Sequence, residues 1–259
     1  MENEAKKHML KYLSKGIRFD GRKLDEIRPI KVEYDVSNSA EGSAIVSVGD
    51  TKVIVGVKMN VEKPYPDTPD TGNLMVNAEL TALSSPDFEP GPPSELGVEL
   101  ARIVDRGIRE SHAIDVHKLC ITPTEKVWSV MIDICTLNAS GNLIDVSALG
   151  ALAAIKNAVY PEYDKETGKV DYGKKTKKKI EMAHQPIAIT IWKIGDYMLV
   201  DPLSEEEQAA DARLTITTTA EGNVASLQKG GDASLTIEEI DRMIGIALDK
   251  AKELRNALG

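Results

Sequence analysis

At 259 residues the chain is long enough for one large domain or two small ones, with a core that needs neither disulfides nor metals. Its formal net charge of −9 excludes a binder whose whole surface is basic, so a polyanion would have to be met by a local cationic track. No apolar run approaches the roughly 18 residues of a membrane span, and the Met1 to Lys7 start leads into no apolar signal segment, so a cytoplasmic protein without membrane contact is expected.

Glu4 to Lys15 is amphipathic and predicts a short helix packed on the body. Ile30 to Tyr34, Gly42 to Val48 and Lys52 to Met59 alternate apolar and polar residues and predict strands, with Val48-Gly49-Asp50-Thr51 as a tight hairpin turn. Prolines and glycines between Pro64 and Pro93 mark two loops flanking a further strand, Leu74 to Leu80. Ser94 can cap a helix running to about Ser111. Lys118 to Thr122 and Val127 to Leu137 predict two strands, followed by the Asn138 to Asn142 loop and an Ala-rich helix from about Val146 to Val159. The small residues Ala148, Gly150, Ala151, Ala153 and Ala154 suit that helix to close packing on a sheet.

Lys174 to Lys179, after a polar turn-rich stretch, reads as a solvated lysine-rich loop. The strand pattern then partly repeats. Ile187 to Ile194 and Tyr197 to Val200 turn through Gly195-Asp196, and Arg213 to Thr219 and Asn223 to Gln228 turn through Glu221-Gly222. Thr236-Ile237-Glu238-Glu239 is a capping box for a final helix. Two halves that each run from strands into helices predict an α+β fold with mixed sheets packed around helices. The divisions expected are 1–28 for the first helix and its following motif, 29–160 for a first subdomain, 161–185 for a lysine-rich connecting loop and 186–259 for a second subdomain.

On the Ser94 to Ser111 helix, Arg102, Arg106 and Arg109 fall within about 60° of one another, whereas Leu96, Leu100, Ile103, Val104 and Ile108 project mainly to the other side. Two readings stay open. Asp105 and Glu110 can lace a solvated face with intrahelical ion pairs, or the guanidinium forks can form a track for phosphate oxygens. Cys120 and Cys135 lie in apolar surroundings and read as reduced, buried thiols. His8, His112, His117 and His184 have no ligand-like spacing, so no metal site is expected.

Arg18-Phe19-Asp20-Gly21-Arg22, leading into the alternating run Gly42 to Val53, resembles the opening of the phosphorolytic exoribonuclease family that includes RNase PH, polynucleotide phosphorylase and the ring subunits of the exosome. The resemblance covers nearly the whole chain and implies an RNase PH-like fold of two βαβ-type subdomains. In active members a loop at a helix N-terminus ending in Ser-Arg or Thr-Arg grips inorganic phosphate. Here that stretch reads Ser140-Gly141-Asn142, and a neutral amide replaces the cation. Where active ring subunits carry paired arginines ahead of the arginine helix, this chain has Pro92-Pro93-Ser94-Glu95. The segment Asp201 to Asp211 is similar to the family's acidic segment, and Glu205 and Asp211 match the spacing of its two aspartates, with Glu in one place. An acidic surface loop between strands is the other reading of that segment.

The pattern is most similar to the non-catalytic ring subunits of archaeal exosomes. That implies no catalytic residue (Asn142, Glu205 and Asp211 being degenerate positions) and no cofactor of its own, inorganic phosphate being used by an active paralogue. It further implies three heterodimers in a ring, a trimer of RNA-binding cap proteins, and contact of Arg102, Arg106 and Arg109 with single-stranded RNA. A self-sufficient phosphate-dependent exoribonuclease and a ring scaffold that never touches RNA are the alternatives.

Overall fold

The computed structural model describes residues 2–259. Helix α1 (Glu2–Leu13) leads into a first sheet built from β1 (Ile30–Tyr34), β2 (Gly42–Val48), β3 (Thr51–Glu62), β4 (Asn73–Glu79), β5 (Cys120–Thr122) and β6 (Lys126–Asn138), in the order β1-β2-β3-β6-β4 with β5 also paired to β6. The hairpin between β2 and β3 closes on the Val48↔Thr51 pair, with Gly49 left-handed at the turn as expected. Helix α2 (Glu95–Glu110) follows β4 and precedes β6, which runs parallel to β4. The Ser94 hydroxyl accepts from Gly97 N at 3.2 Å and starts the helix where the sequence placed it.

Helix α3 (Leu143–Asn157) lies between the two sheets, packed on β2 and β3 on one side and on β9 (Ile187–Ile194) on the other. Burial on both sides explains its composition, because Ala151, Ala153 and Ala154 are fully enclosed and bring the sheets close. The second sheet has the order β10-β9-β11-β12, with β10 (Tyr197–Leu199), β11 (Ala212–Thr218) and β12 (Val224–Gly230). Short helix α4 (Ser204–Ala209) connects β10 to β11, and α5 (Ile237–Ala257) covers β9 and β11 behind the expected Thr236/Glu239 capping box.

Neighbouring strands of the second sheet pair antiparallel, and β10 and β11, both antiparallel to β9, run parallel to each other and are joined through α4, a βαβ connection split around β9. Three expectations need correction. The lysine-rich 161–185 stretch is no loop: β7 (Val159–Asp164) and β8 (Lys169–Lys179) form a two-stranded hairpin held at its inner side by Val170 and Thr176. The strand expected from Lys118 begins at Cys120, because Asp115 caps a 3₁₀ turn over Val116–Leu119. Cys120 and Cys135 are free thiols but only half-buried; burial, then Glu79 and Asp133, push the Cys135 thiol above its ordinary range.

Candidate functional site

The Ser140-Gly141-Asn142 loop is pinned from three directions. Thr51 Oγ1 donates to the Gly141 carbonyl at 2.6 Å and accepts from Ser140 N at 3.2 Å. Gly141 has φ +80°, and a Cβ there would lie 2.3 Å from the Pro202 carbonyl, so this crossing of two loops requires glycine. Asn142, also left-handed at φ 59°, buries its side chain and donates from Nδ2 to Asp201 Oδ1 at 2.9 Å.

Helix α3 has no side-chain cap of its own. Instead Glu207, carried by α4, accepts from Asn142 N at 2.8 Å and sets a carboxylate against the helix N-terminus. Burial pushes the Glu207 carboxyl up to about 7 despite that hydrogen bond and the nearby Arg213 and Arg28. One turn into α3, fully buried Asp145 accepts from Thr190 N at 3.1 Å and Thr190 Oγ1 at 2.7 Å, tying the helix to β9. Burial raises its carboxyl to about 7 as well.

Asp201 organises the other side of the loop. Its carboxylate accepts from Arg28 N, Nε and Nη2 and from Arg22 Nη1, all within 2.7–2.9 Å. Burial alone would raise this carboxyl, but Arg28 and Arg22 hold it below its ordinary range. Arg28 also donates to the Ser140 carbonyl at 2.8 Å. Arg18 is fully buried and forks onto Glu206, donating from Nε to Oε1 at 2.8 Å and from Nη2 to Oε2, and donates further to the Val200 and Asp201 carbonyls. The Arg18 to Arg22 motif is therefore a structural clamp that fixes the acidic segment against the loop.

The acidic segment is the helix α4 and not a loop, and it distributes its carboxylates differently from the spacing argument. Glu205 is exposed, whereas Asp211 is engaged by Lys6 Nζ and by Gly195 N at 2.7 Å, so neither faces the Asn142 loop through any hydrogen bond. Glu206 and Glu207 are the members that reach inward. Six residues also separate Asp201 from Glu207, so the spacing fits that pair as well as Glu205 and Asp211, and the helical phase of residues 204–209 was the signal needed to choose between them.

In front of α3 lies a cleft of about 830 Å³ lined by Glu79, Asp87, Glu89 and Glu207 and, among the described residues, by no lysine or arginine. A second cleft, of about 680 Å³, opens between α2 and edge strand β4 and is lined by all three predicted arginines. Arg102, Arg106 and Arg109 are exposed on one face of α2, while Leu100, Ile103, Val104 and Ile108 are buried on the other. Leu96 departs from that pattern, being partly exposed at the rim of the acidic cleft. Arg109 is committed: it pairs with Asp105 at 2.7 Å and donates to the Leu74 carbonyl at 2.9 Å. Among the described residues Arg102 and Arg106 have no carboxylate at ion-pair distance. The described residues also contain no cluster of three or more potential metal ligands.

In this α+β body of two sheets a carboxylate occupies the N-terminus of α3, and the acidic cleft in front of it adjoins the arginine cleft at Ala78, Pro93 and Gly97. Two family models match in tandem, domain 1 of the 3′ exoribonuclease family over residues 26–161 and domain 2 over residues 184–250, and the chain belongs to that family. It is 46% identical to the exosome complex component Rrp42 of Methanocella arvoryzae, over 95% of this chain and 92% of the relative. It is 44% identical to the protein of the same name from Thermococcus onnurineus, over 98% and 94%. Among solved structures, a chain of the Archaeoglobus fulgidus exosome with RNA bound to the active site superposes with a TM-score of 0.91 at 44% identity, covering 100% of this chain and 99% of that one.

Proposed function

We propose that this chain is a non-catalytic ring subunit of an RNA-degrading exosome, pairing with an active RNase PH-like paralogue and completing that partner's site during 3′ to 5′ phosphorolysis. The observation that carries this reading is the Glu207 carboxylate seated on the N-terminus of α3 in an acidic cleft. Phosphorolysis needs a phosphate dianion held beside a polyanion, which demands concentrated positive charge. Here an anion would have to displace a carboxylate and enter past three more. The relatives' names, as exosome components, agree with this assignment.

In this reading Arg102 and Arg106 contact RNA phosphates, with Arg109 as a weaker third because Asp105 and the Leu74 carbonyl already occupy it. Three heterodimers form the ring, a trimer of RNA-binding cap proteins sits on it in the cytoplasm, and inorganic phosphate is bound by the partner alone.

The test is the shortening of a 5′-labelled oligoadenylate with inorganic phosphate by this chain, by its active paralogue, and by the co-purified pair. Activity confined mainly to the pair, and weakened at fixed salt by Arg102→Ala with Arg106→Ala, is expected. Robust phosphate-dependent release by this chain alone would overturn the reading.

A further inference from the structure

The lysine run of β8 has a defined place in the fold. It lies in a strand whose register shifts between the Pro161↔Lys175 and Val159↔Lys179 pairs. The Lys178 ammonium lies 4.8 Å from the Tyr160 ring centroid. Lys177, Lys178 and Lys179 are all exposed. Lys174 is neutralised by Glu162 and Asp171, and Lys175 donates to the Ala40 carbonyl. Among the described residues Lys177, Lys178 and Lys179 have no carboxylate at ion-pair distance, in a chain with nine more negative than positive charges.

The end of β8 is joined to the end of the arginine helix. Ala183 N donates to the Ala113 carbonyl at 2.9 Å, Ile114 bridges to Met182, and Lys118 pairs with Glu181 at 2.7 Å. The segment that leaves the C-terminal end of α2, from Ala113 onward, thus abuts the segment that follows Lys179. The acids at this junction are Glu110, Asp115 and Glu181, of which Glu181 is held by Lys118 and Asp115 accepts from His117 N. Lysines on a two-stranded hairpin offer point charges without a base-reading surface, which suits the backbone of a single strand and not a particular sequence.

We propose that the β7–β8 hairpin is a second RNA-contact surface, in which Lys177, Lys178 and Lys179 prolong the arginine cleft of α2 and hold single-stranded RNA by its phosphates. The proposal rests on the RNA-contact reading of that cleft, so the experiment treats the two surfaces separately. Equilibrium binding of the assembled complex is measured over a salt series, with a short oligoadenylate that fills only the cleft and with a longer one. Lys177→Gln, Lys178→Gln and Lys179→Gln combined are expected to leave the short oligonucleotide unaffected. For the long one they should weaken binding and reduce the slope of log K against log salt by about 2, near 0.7 per lost phosphate contact. The Lys177→Gln, Lys179→Gln double variant keeps the Lys178–Tyr160 contact, and a reduction of about 1.4 is expected. A long-oligonucleotide slope unchanged in both variants overturns the proposal, whatever Arg102→Ala with Arg106→Ala does. If the arginine variants alone have no effect at either length, the cleft reading fails and the hairpin stands as an independent site.

Discussion

Glu207 and Asp201 grip Asn142 from opposite sides, one through its backbone and one through its side chain, and they answer to pH in opposite directions. Asp201 is held below its ordinary range by Arg28 and Arg22, so its contribution is present near neutrality and is lost as pH falls through the folded value. Glu207 titrates near 4.5 unfolded and near 7 in the fold, so between those values the folded chain holds the extra proton. Stability from this group is therefore greatest below its unfolded value and declines as pH rises to about 7, and Asp145 adds a decline of the same sign. Glu207→Gln keeps an acceptor for Asn142 N but cannot ionise. It should flatten the decline and stabilise the protein by ~1–2 kcal/mol above the folded pKa, the figure being reduced because the side chain borders cleft water. Urea midpoints measured across this range check it, and a profile identical to the parent would mean that the carboxylate is ionised without cost. None of these partnerships was legible locally. Arg18 and Glu206 are 188 residues apart, and a short Arg-x-Asp-Gly-Arg motif signals a family without revealing that its first arginine is a buried clamp.

At the level of elements, legibility followed hydrophobic periodicity. Helix α2, the β2–β3 hairpin and the capped α5 each bury one regular face, and the bounds of the first two and the start of α5 lie within a few residues of the expected ones. Helix α4 has no apolar face to announce it; its order comes from Arg18 and Asn142 pulling on Glu206 and Glu207. Strand β8 was hidden by its lysines, since only Val170 and Thr176 turn inward and two register shifts break the alternation. The packing of α3 makes a sharper prediction. Gly42 on β2 faces the end of that helix, where a Cβ would lie 2.3 Å from the Ala154 carbonyl and 2.6 Å from Ala158 Cα. Both obstacles are backbone and cannot rotate away, so even Gly42→Ala must push the helix off the sheet. A loss of about 2–3 kcal/mol in chemical denaturation is expected, the upper range for overpacking by a single methyl group. A loss below ~0.5 kcal/mol would mean that α3 slides freely on β2.

The whole molecule poses the question of whether its two sheets are one folding unit. Chains beyond about 150 residues commonly unfold through intermediates, and two sheets of separate strand order invite independent melting. The contacts argue otherwise. A single buried cluster draws on Val46, Val55 and Ile132 of the first sheet, Leu149 and Leu152 of α3, and Ile189 and Ile216 of the second. The N-terminal helix crosses over to seat Met9 and Leu13 against Trp192, Ile194 and Leu199, while at the other end of the chain Tyr34 on β1 donates to the Leu258 carbonyl at 2.8 Å. Polar ties run across the same seam: Asp145 to Thr190, Arg18 to Glu206 and Arg28 to Asp201. Separating the sheets would strip both sides of α3 and leave buried guanidinium and carboxylate groups unpaired, at several kcal/mol for each broken pair. Half of the molecule therefore cannot persist without the other. Far- and near-ultraviolet circular dichroism should lose signal in one coincident thermal transition, with calorimetric and van't Hoff enthalpies in agreement. Two resolved transitions would show that α3 stays with one sheet after the other has melted, and that the ion network does not couple them.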